Sequence, residues 1–151
     1  MAIKEIFGDL TKCPIPLIAH QVNCQGVMGA GLARQIREKW PRVYEEYRAT
    51  CAIHKGNTLL GSILVSQPDQ HRTIVNMFSQ DKYGHNARYT DYEAFATCCE
   101  RIKEYMMNND LDAIAFPKYI GCGLAGGDWK VIRAIIESTL ADDVEVYIYE
   151  L

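Results

Sequence analysis

Three observations predict an α/β domain with a mixed sheet and helices on both of its faces. Short β-branched runs alternate along the chain with longer amphipathic stretches of helical period, the order of a layered α/β protein. Two of the apolar runs, residues 15–22 and 112–117, empty into glycine-rich joints that open amphipathic helices. The 151 residues fit one domain, which at this size buries roughly 68–70% of its unfolded surface.

Residues 3–7 alternate enough for a first strand, closed by Gly8-Asp9. After Pro14 and Pro16, the apolar run of residues 15–22 reads as a buried strand. The joint from Gln21 to Arg34 follows, and its helix, marked by Leu32, Ala33, Ile36 and Trp40, stops at Trp40-Pro41, because proline disfavours helical geometry in the residue before it. Pro41 suits the first turn of a new helix, whose Val43, Tyr44, Tyr47 and Cys51 make a one-sided core stripe.

His54-Lys-Gly-Asn57 reads as a turn, and residues 59–66 and 73–79 as neighbouring antiparallel strands across a polar Gln-Pro-Asp-Gln turn. Residues 80–88 are polar and irregular, with Gly84, His85 and Asn86 at the tip. Thr90-Asp-Tyr-Glu93 has the pattern of a capping box and opens a long helix with Tyr92, Phe95, Ala96, Cys99, Ile102 and Met106 on one face. Residues 112–117 form a short buried strand, Val131, Ile132, Ile135, Ile136 and Leu140 mark the next helix, and residues 144–149 close the chain as a strand.

The net charge of −3 and pI near 5.8 argue against a partner held by neutralising many phosphates, so no sequence-specific nucleic-acid binding is expected. If the protein holds phosphate, backbone amides must do most of the work. No apolar run approaches the roughly 20 residues that cross a bilayer, and the N-terminus lacks a signal-peptide core; the expectation is a cytoplasmic protein without a membrane partner. The six cysteines are expected as reduced thiols in a long, core-rich chain. Neither Cys-x-x-Cys nor His-Glu-x-x-His occurs, so no metal and no cofactor are expected.

Gly26, Gly29 and Gly31 crowd the first joint, free the backbone for positive φ and let a ligand approach the main chain. The free N–H groups and dipole at the start of the following helix favour an anion there, typically a phosphate. The same glycines also fit a tight turn that packs helix against strand, and both readings stay open. Gly-x-x-Gly-x-Gly reverses the dinucleotide fingerprint, and no Gly-Lys-Ser/Thr follows, which excludes a nucleoside-triphosphate P-loop here.

The second joint holds Gly121-Cys-Gly123-Leu-Ala-Gly126, a literal Gly-x-Gly-x-x-Gly between strand and helix. A dinucleotide fold does not fit, because only one helix and one strand remain after Gly127, and Glu145 opens the last strand instead of ending it. In α/β sheets ligands sit beyond the carboxyl ends of the strands. If the two strands are neighbours, both loops face one crevice and grip two phosphates, as in a pyrophosphate flanked by sugars.

Gly-Asp-Leu-Thr at 8–11, Asn23 with Gly-x-Met-Gly-Ala-Gly at 26–31, and Pro117 with Ile-Gly-Cys-Gly-Leu at 120–124 resemble the macrodomain family in order and spacing over nearly the whole chain. The branch most resembled contains ADP-ribose 1″-phosphate phosphatases and the ADP-ribosyl-glutamate and thymidine-ADP-ribose hydrolases. The resemblance implies a three-layer α/β/α macrodomain with a mixed central sheet over residues 1–151, binding ADP-ribose or a derivative, free or attached to a macromolecule. It places Asp9 on the adenine amino group with Leu10 beside the ring, and Asn23 on the distal ribose. Gly26, Met28, Gly29, Ala30 and Gly31 would wrap that ribose and one phosphate, and Ile120, Gly121, Cys122, Gly123, Leu124, Ala125 and Gly126 would hold the pyrophosphate. By their residue types alone, Asp9 fits equally a solvated turn and Asn23 a loop cap.

The hydrolases of this branch carry an aspartate directly after Gly-Cys-Gly-Leu and a lysine in the loop before the long helix. This chain has Ala125 at the first place, and near His85-Asn86 no lysine lines up without shifting, so a lysine-adduct mechanism does not fit. Phosphomonoester hydrolysis remains, with Asp128 or His85 activating water while amides stabilise the phosphoryl charge. Asp128 at a helix start also reads as an N-cap, and His85 as a loop histidine without a role. No cysteine has an arginine six positions on, which excludes the Cys-x5-Arg phosphatase loop. Lys118, Tyr119 and Tyr83 fall near the expected crevice. The expectation is an ADP-ribose 1″-phosphate phosphatase; the alternatives are a non-catalytic ADP-ribose reader and an ADP-ribosyl hydrolase that uses Asp128 to remove ADP-ribose from protein or nucleic acid.

Overall fold

The computed structural model describes residues 3–54, 57–84 and 86–151. Its strands are β1 (Ile3–Phe7), β2 (Leu17–Val22), β3 (Ile63–Ser66), β4 (Thr73–Phe78), β5 (Ala113–Pro117) and β6 (Glu145–Glu150). Its helices are α1 (Gly31–Lys39), α2 (Pro41–Ile53), α3 (Tyr92–Asn108) and α4 (Trp129–Leu140), with a short 3-10 turn at Leu10–Lys12. The strands make one sheet in the order β1-β6-β5-β2-β4-β3, parallel throughout except for the antiparallel β3–β4 pair. The expected mixed sheet and antiparallel neighbours are therefore present.

Successive side chains of a strand point to opposite faces, and β2 shows how this builds the layers. Leu17 and Ala19 pack into the core under α3 and α4 with Phe95, Cys99, Ile102, Ile132 and Ile136. Ile18 and Val22 pack the other way, with Ile36 of α1 and Val43 and Tyr47 of α2. Each core closes one face of the sheet, which gives the three layers.

Several boundaries move for physical reasons. β3 starts at Ile63, later than expected, because residues 57–61 turn with Gly61 at φ +91°, and the Gly61 N–H donates to Phe78 O. Lys55 and Gly56 of the expected His54–Asn57 turn lie outside the described residues. The capping box at Thr90 does not form: Asp91 is the N-cap of α3, its carboxylate accepting from the Ala94 N–H at 3.0 Å, and Thr90 is engaged elsewhere. Among the described residues, no helix is long and apolar enough to cross a membrane.

Candidate functional site

β2 and β5 are parallel neighbours, with Ile18 opposite Ala115. Their carboxyl ends therefore lie side by side, and the two glycine joints flank one cleft of about 690 Å³. This is the crevice at which an open α/β sheet takes its ligand.

The first joint is organised by Asn23, a buried residue at the end of β2. Its Oδ1 accepts from the Gln25 N–H at 2.9 Å and its Nδ2 donates to Val27 O at 2.8 Å, while the Tyr47 hydroxyl lies 2.7 Å from both its Oδ1 and its backbone O. α1 then begins without a side-chain cap, since its N-cap is Ala30. Among the described residues, the N–H groups of Gly31, Leu32 and Ala33 in the first turn have no acceptor, so the helix start presents open donors and the positive end of its dipole.

The second joint is bent by positive φ at Gly121 (+74°) and Gly126 (+76°), and also at Tyr119 (+65°), a conformation unusual for a residue with a Cβ. Gly127 N–H donates to Gly121 O at 2.8 Å and Gly126 N–H to Gly123 O at 3.1 Å, closing the loop on itself. The consecutive N–H groups of Gly123, Leu124 and Ala125 have no acceptor among the described residues. Successive free amides of this kind form an anion-binding concavity.

The described residues expected at the site divide into three sets. Asn23, Gly29, Ala30, Gly31, Ile120, Gly121, Gly123, Leu124 and Ala125 line the cleft. Gly26, Met28, Cys122 and Gly126 shape the loops from behind the wall, with Met28 buried against the core on the α1–α2 side. Asp9, Leu10 and Asp128 stand apart from the lining. The Asp9 carboxylate caps the 3-10 turn by accepting from the Thr11 hydroxyl and N–H at 2.7 and 2.9 Å, bonds that hold it below the usual carboxylate range, while Leu10 belongs to the core. Asp128 is exposed and caps α4, accepting from the Lys130 N–H at 2.9 Å. His85 lies outside the described residues.

Three polar residues line the cleft that the sequence reading left inside strands or loops: His20, Gln21 and Gln80. His20 is buried, and its Nε2 lies 2.7 Å from Asn76 Oδ1. Because Asn76 donates through Nδ2 to Leu64 O and Ser66 Oγ, its Oδ1 faces the imidazole, so the proton sits on Nε2. Burial pushes the His20 pKa down to about 4 against the raising effect of the Asn76 bond, which leaves the ring neutral. The signal for these residues lay in their position, at and just beyond the carboxyl ends of adjacent strands.

Lys118 is the only Asp, Glu, Lys or Arg side chain in the lining among the described residues. Its ammonium lies 3.2 Å from both Glu5 Oε1 and Glu150 Oε1, and hydrogen bonding to those carboxylates raises its pKa. Burial pushes Cys24 up to about 12, and burial with the Asp128 charge pushes Cys122 up to about 11, so both stay protonated at neutral pH.

Residues 19–136 match the Macro domain family. The chain belongs to that family. A DNA ADP-ribosyl glycohydrolase of Thermus aquaticus is 29% identical over 155 residues, a match that takes in 98% of this chain and 41% of the relative. The macrodomain thus spans less than half of that relative's length. An ADP-ribose 1″-phosphate phosphatase of Candida albicans is 29% identical over 146 residues, 89% of this chain and 92% of the relative. Among solved structures, the macrodomain of Thermus aquaticus DarG superposes with a TM-score of 0.83 at 25% identity, over 99% of each chain.

Proposed function

We propose that this macrodomain binds ADP-ribose derivatives across its two glycine joints and hydrolyses ADP-ribose 1″-phosphate to ADP-ribose and inorganic phosphate. One observation carries the reading. The open N–H groups at the start of α1 and at Gly123, Leu124 and Ala125 lie on two walls of one cleft, which suits a diphosphate between two riboses. The relative from Candida albicans, which matches over nearly its whole length, adds the substrate.

In this reading Gly29 to Gly31 and Gly121 to Ala125 hold the phosphates and Asn23 lies at the distal ribose; Asp9 and Leu10, which stand outside the lining, are assigned the adenine end from the family resemblance alone. Water attacks the terminal phosphorus, the bond to the ribose oxygen breaks, and backbone amides stabilise the charge on the phosphoryl oxygens. Of the two sequence candidates for activating that water, Asp128 is engaged as the cap of α4 outside the cleft lining, so His85 is the one this reading favours.

A reader without catalysis is the second reading, and one observation favours it: among the described residues no aspartate or glutamate lines the cleft. Calorimetric titration with ADP-ribose, followed by phosphate release from ADP-ribose 1″-phosphate in the same preparation, separates the two. Binding with release supports the phosphatase. Binding without release makes the protein a reader, and no binding removes both readings.

A further inference from the structure

We propose that Thr90, held by Gln21, is the positioning residue that fixes the second glycine joint relative to the first. The inference rests on the reading of the cleft as an ADP-ribose site. Thr90 heads a Thr-x-x-Glu pattern, yet Asp91 caps α3, which leaves the Thr90 hydroxyl free for another partner. It is 2% exposed and has three bonds to give or take. Its N–H donates to Ala125 O at 3.2 Å, its hydroxyl donates to Gly121 O at 2.6 Å, and the hydroxyl oxygen accepts from Gln21 Nε2 at 2.9 Å.

The two carbonyls flank the stretch whose free amides form the anion concavity. One residue therefore pins both ends of that loop.

Gln21 has no freedom to turn away. Its Oε1 accepts the Ser79 hydroxyl at 2.6 Å, and its amide nitrogen serves both Gln80 Oε1 at 2.8 Å and Thr90 Oγ1. With its oxygen accepting from Gln21, the Thr90 hydroxyl directs its single proton to Gly121 O. A Cβ on Gly121 would stand 2.9 Å from Gln21 Oε1 and 3.0 Å from Thr90 Oγ1, so the pair and the glycine fit only together.

Gln21 also lies two residues before Asn23, the organiser of the first joint. The relay from Gln21 through Thr90 to Gly121 thus links the roots of both joints and sets the gap between them. A ligand whose two linked phosphates must meet both walls depends on that gap. A ligand with one phosphate does not.

Thr90→Val keeps the shape and removes the hydroxyl, whereas Thr90→Ser keeps the hydroxyl. Affinities for ADP-ribose and for AMP, measured by calorimetry beside thermal melting, give the test. The expected result is a loss of about tenfold or more for ADP-ribose in Thr90→Val with a much smaller loss for AMP, and affinities within about threefold of wild type in Thr90→Ser. If Thr90→Val does not fold, Gln21→Met cuts the same relay from the other end and is expected to show the same split.

Wild-type ADP-ribose affinity in both Thr90→Val and Gln21→Met, equal losses for both ligands, or Thr90→Ser as weak as Thr90→Val would each overturn the positioning role while leaving the reading of the cleft intact. A wild-type protein that does not bind ADP-ribose overturns the reading of the cleft and this inference with it.

Discussion

Ile18 of β2 stands opposite Ala115 of β5 in parallel register, and through that pairing two joints far apart in sequence become the walls of one cleft. The glycines of the second wall serve different ends. A Cβ on Gly123 would meet nothing within 4 Å, whereas one on Gly126, at φ +76°, would lie 3.0 Å from Ala87 O. Gly123→Val is therefore expected to keep the melting temperature and to lose ADP-ribose binding by filling the space above the open amides. Gly126→Ala is expected to lower stability by about 1–3 kcal/mol from backbone strain. Thermal melting and calorimetry on the two variants check this, and unchanged affinity in Gly123→Val would mean the second joint only shapes the fold.

The buried pair His20 and Asn76 makes stability depend on pH. Its folded pKa of about 4 lies below the unfolded value of 6.5, so the contribution is complete above pH 6.5 and is lost as pH falls through 4. The loss is about 3 kcal/mol. His20→Gln, which keeps a donor for Asn76, is expected to flatten this part of the curve. Urea midpoints of both proteins between pH 8 and pH 4 give the comparison, and parallel curves would mean that His20 titrates normally.

Elements of regular period were legible in the sequence because their signals are local. The stripe Val43, Tyr44, Tyr47 and Cys51 locates α2 without any knowledge of its neighbours, and the positive φ of Gly26, Gly31, Gly121 and Gly126 explains why glycine recurs in both joints. What was not legible depends on register between distant segments. His20 reads as the end of an apolar strand until β4 brings Asn76 opposite it. Thr90 and Asp91 are both good N-caps, and only Gln21 and Gly121, which claim the Thr90 hydroxyl, decide between them. Tyr119 at φ +65° carries no sequence signal at all.

Asn23 holds its own loop, and this changes what its removal means. Its carboxamide bonds Gln25 N–H and Val27 O, and the buried Tyr47 hydroxyl backs it at 2.7 Å. Asn23→Ala leaves these groups unpaired, and a fall in stability of about 1–3 kcal/mol is expected together with weaker ADP-ribose binding. Tyr47→Phe is expected to reproduce part of the stability loss, because it removes the supporting hydroxyl without touching the cleft lining. A double-mutant cycle on the two residues measures the coupling, and additive losses would show that Tyr47 does not support Asn23.

Asp128 separates a helix cap from a catalyst. Its Oδ1 accepts from the Lys130 N–H, its own N–H donates to the Tyr92 hydroxyl at 2.9 Å, and the side chain is outside the cleft lining. Asparagine caps as well as aspartate but does not act as a general base, so Asp128→Asn holds the fold constant while removing the chemistry. Asp128→Ala removes both and is expected to cost about 1 kcal/mol of stability. From its place as a cap, Asp128→Asn is expected to retain both wild-type melting and wild-type phosphate release. A large fall in release with unchanged melting would instead require the carboxylate to reach the terminal phosphate, and would make Asp128 the residue that activates water.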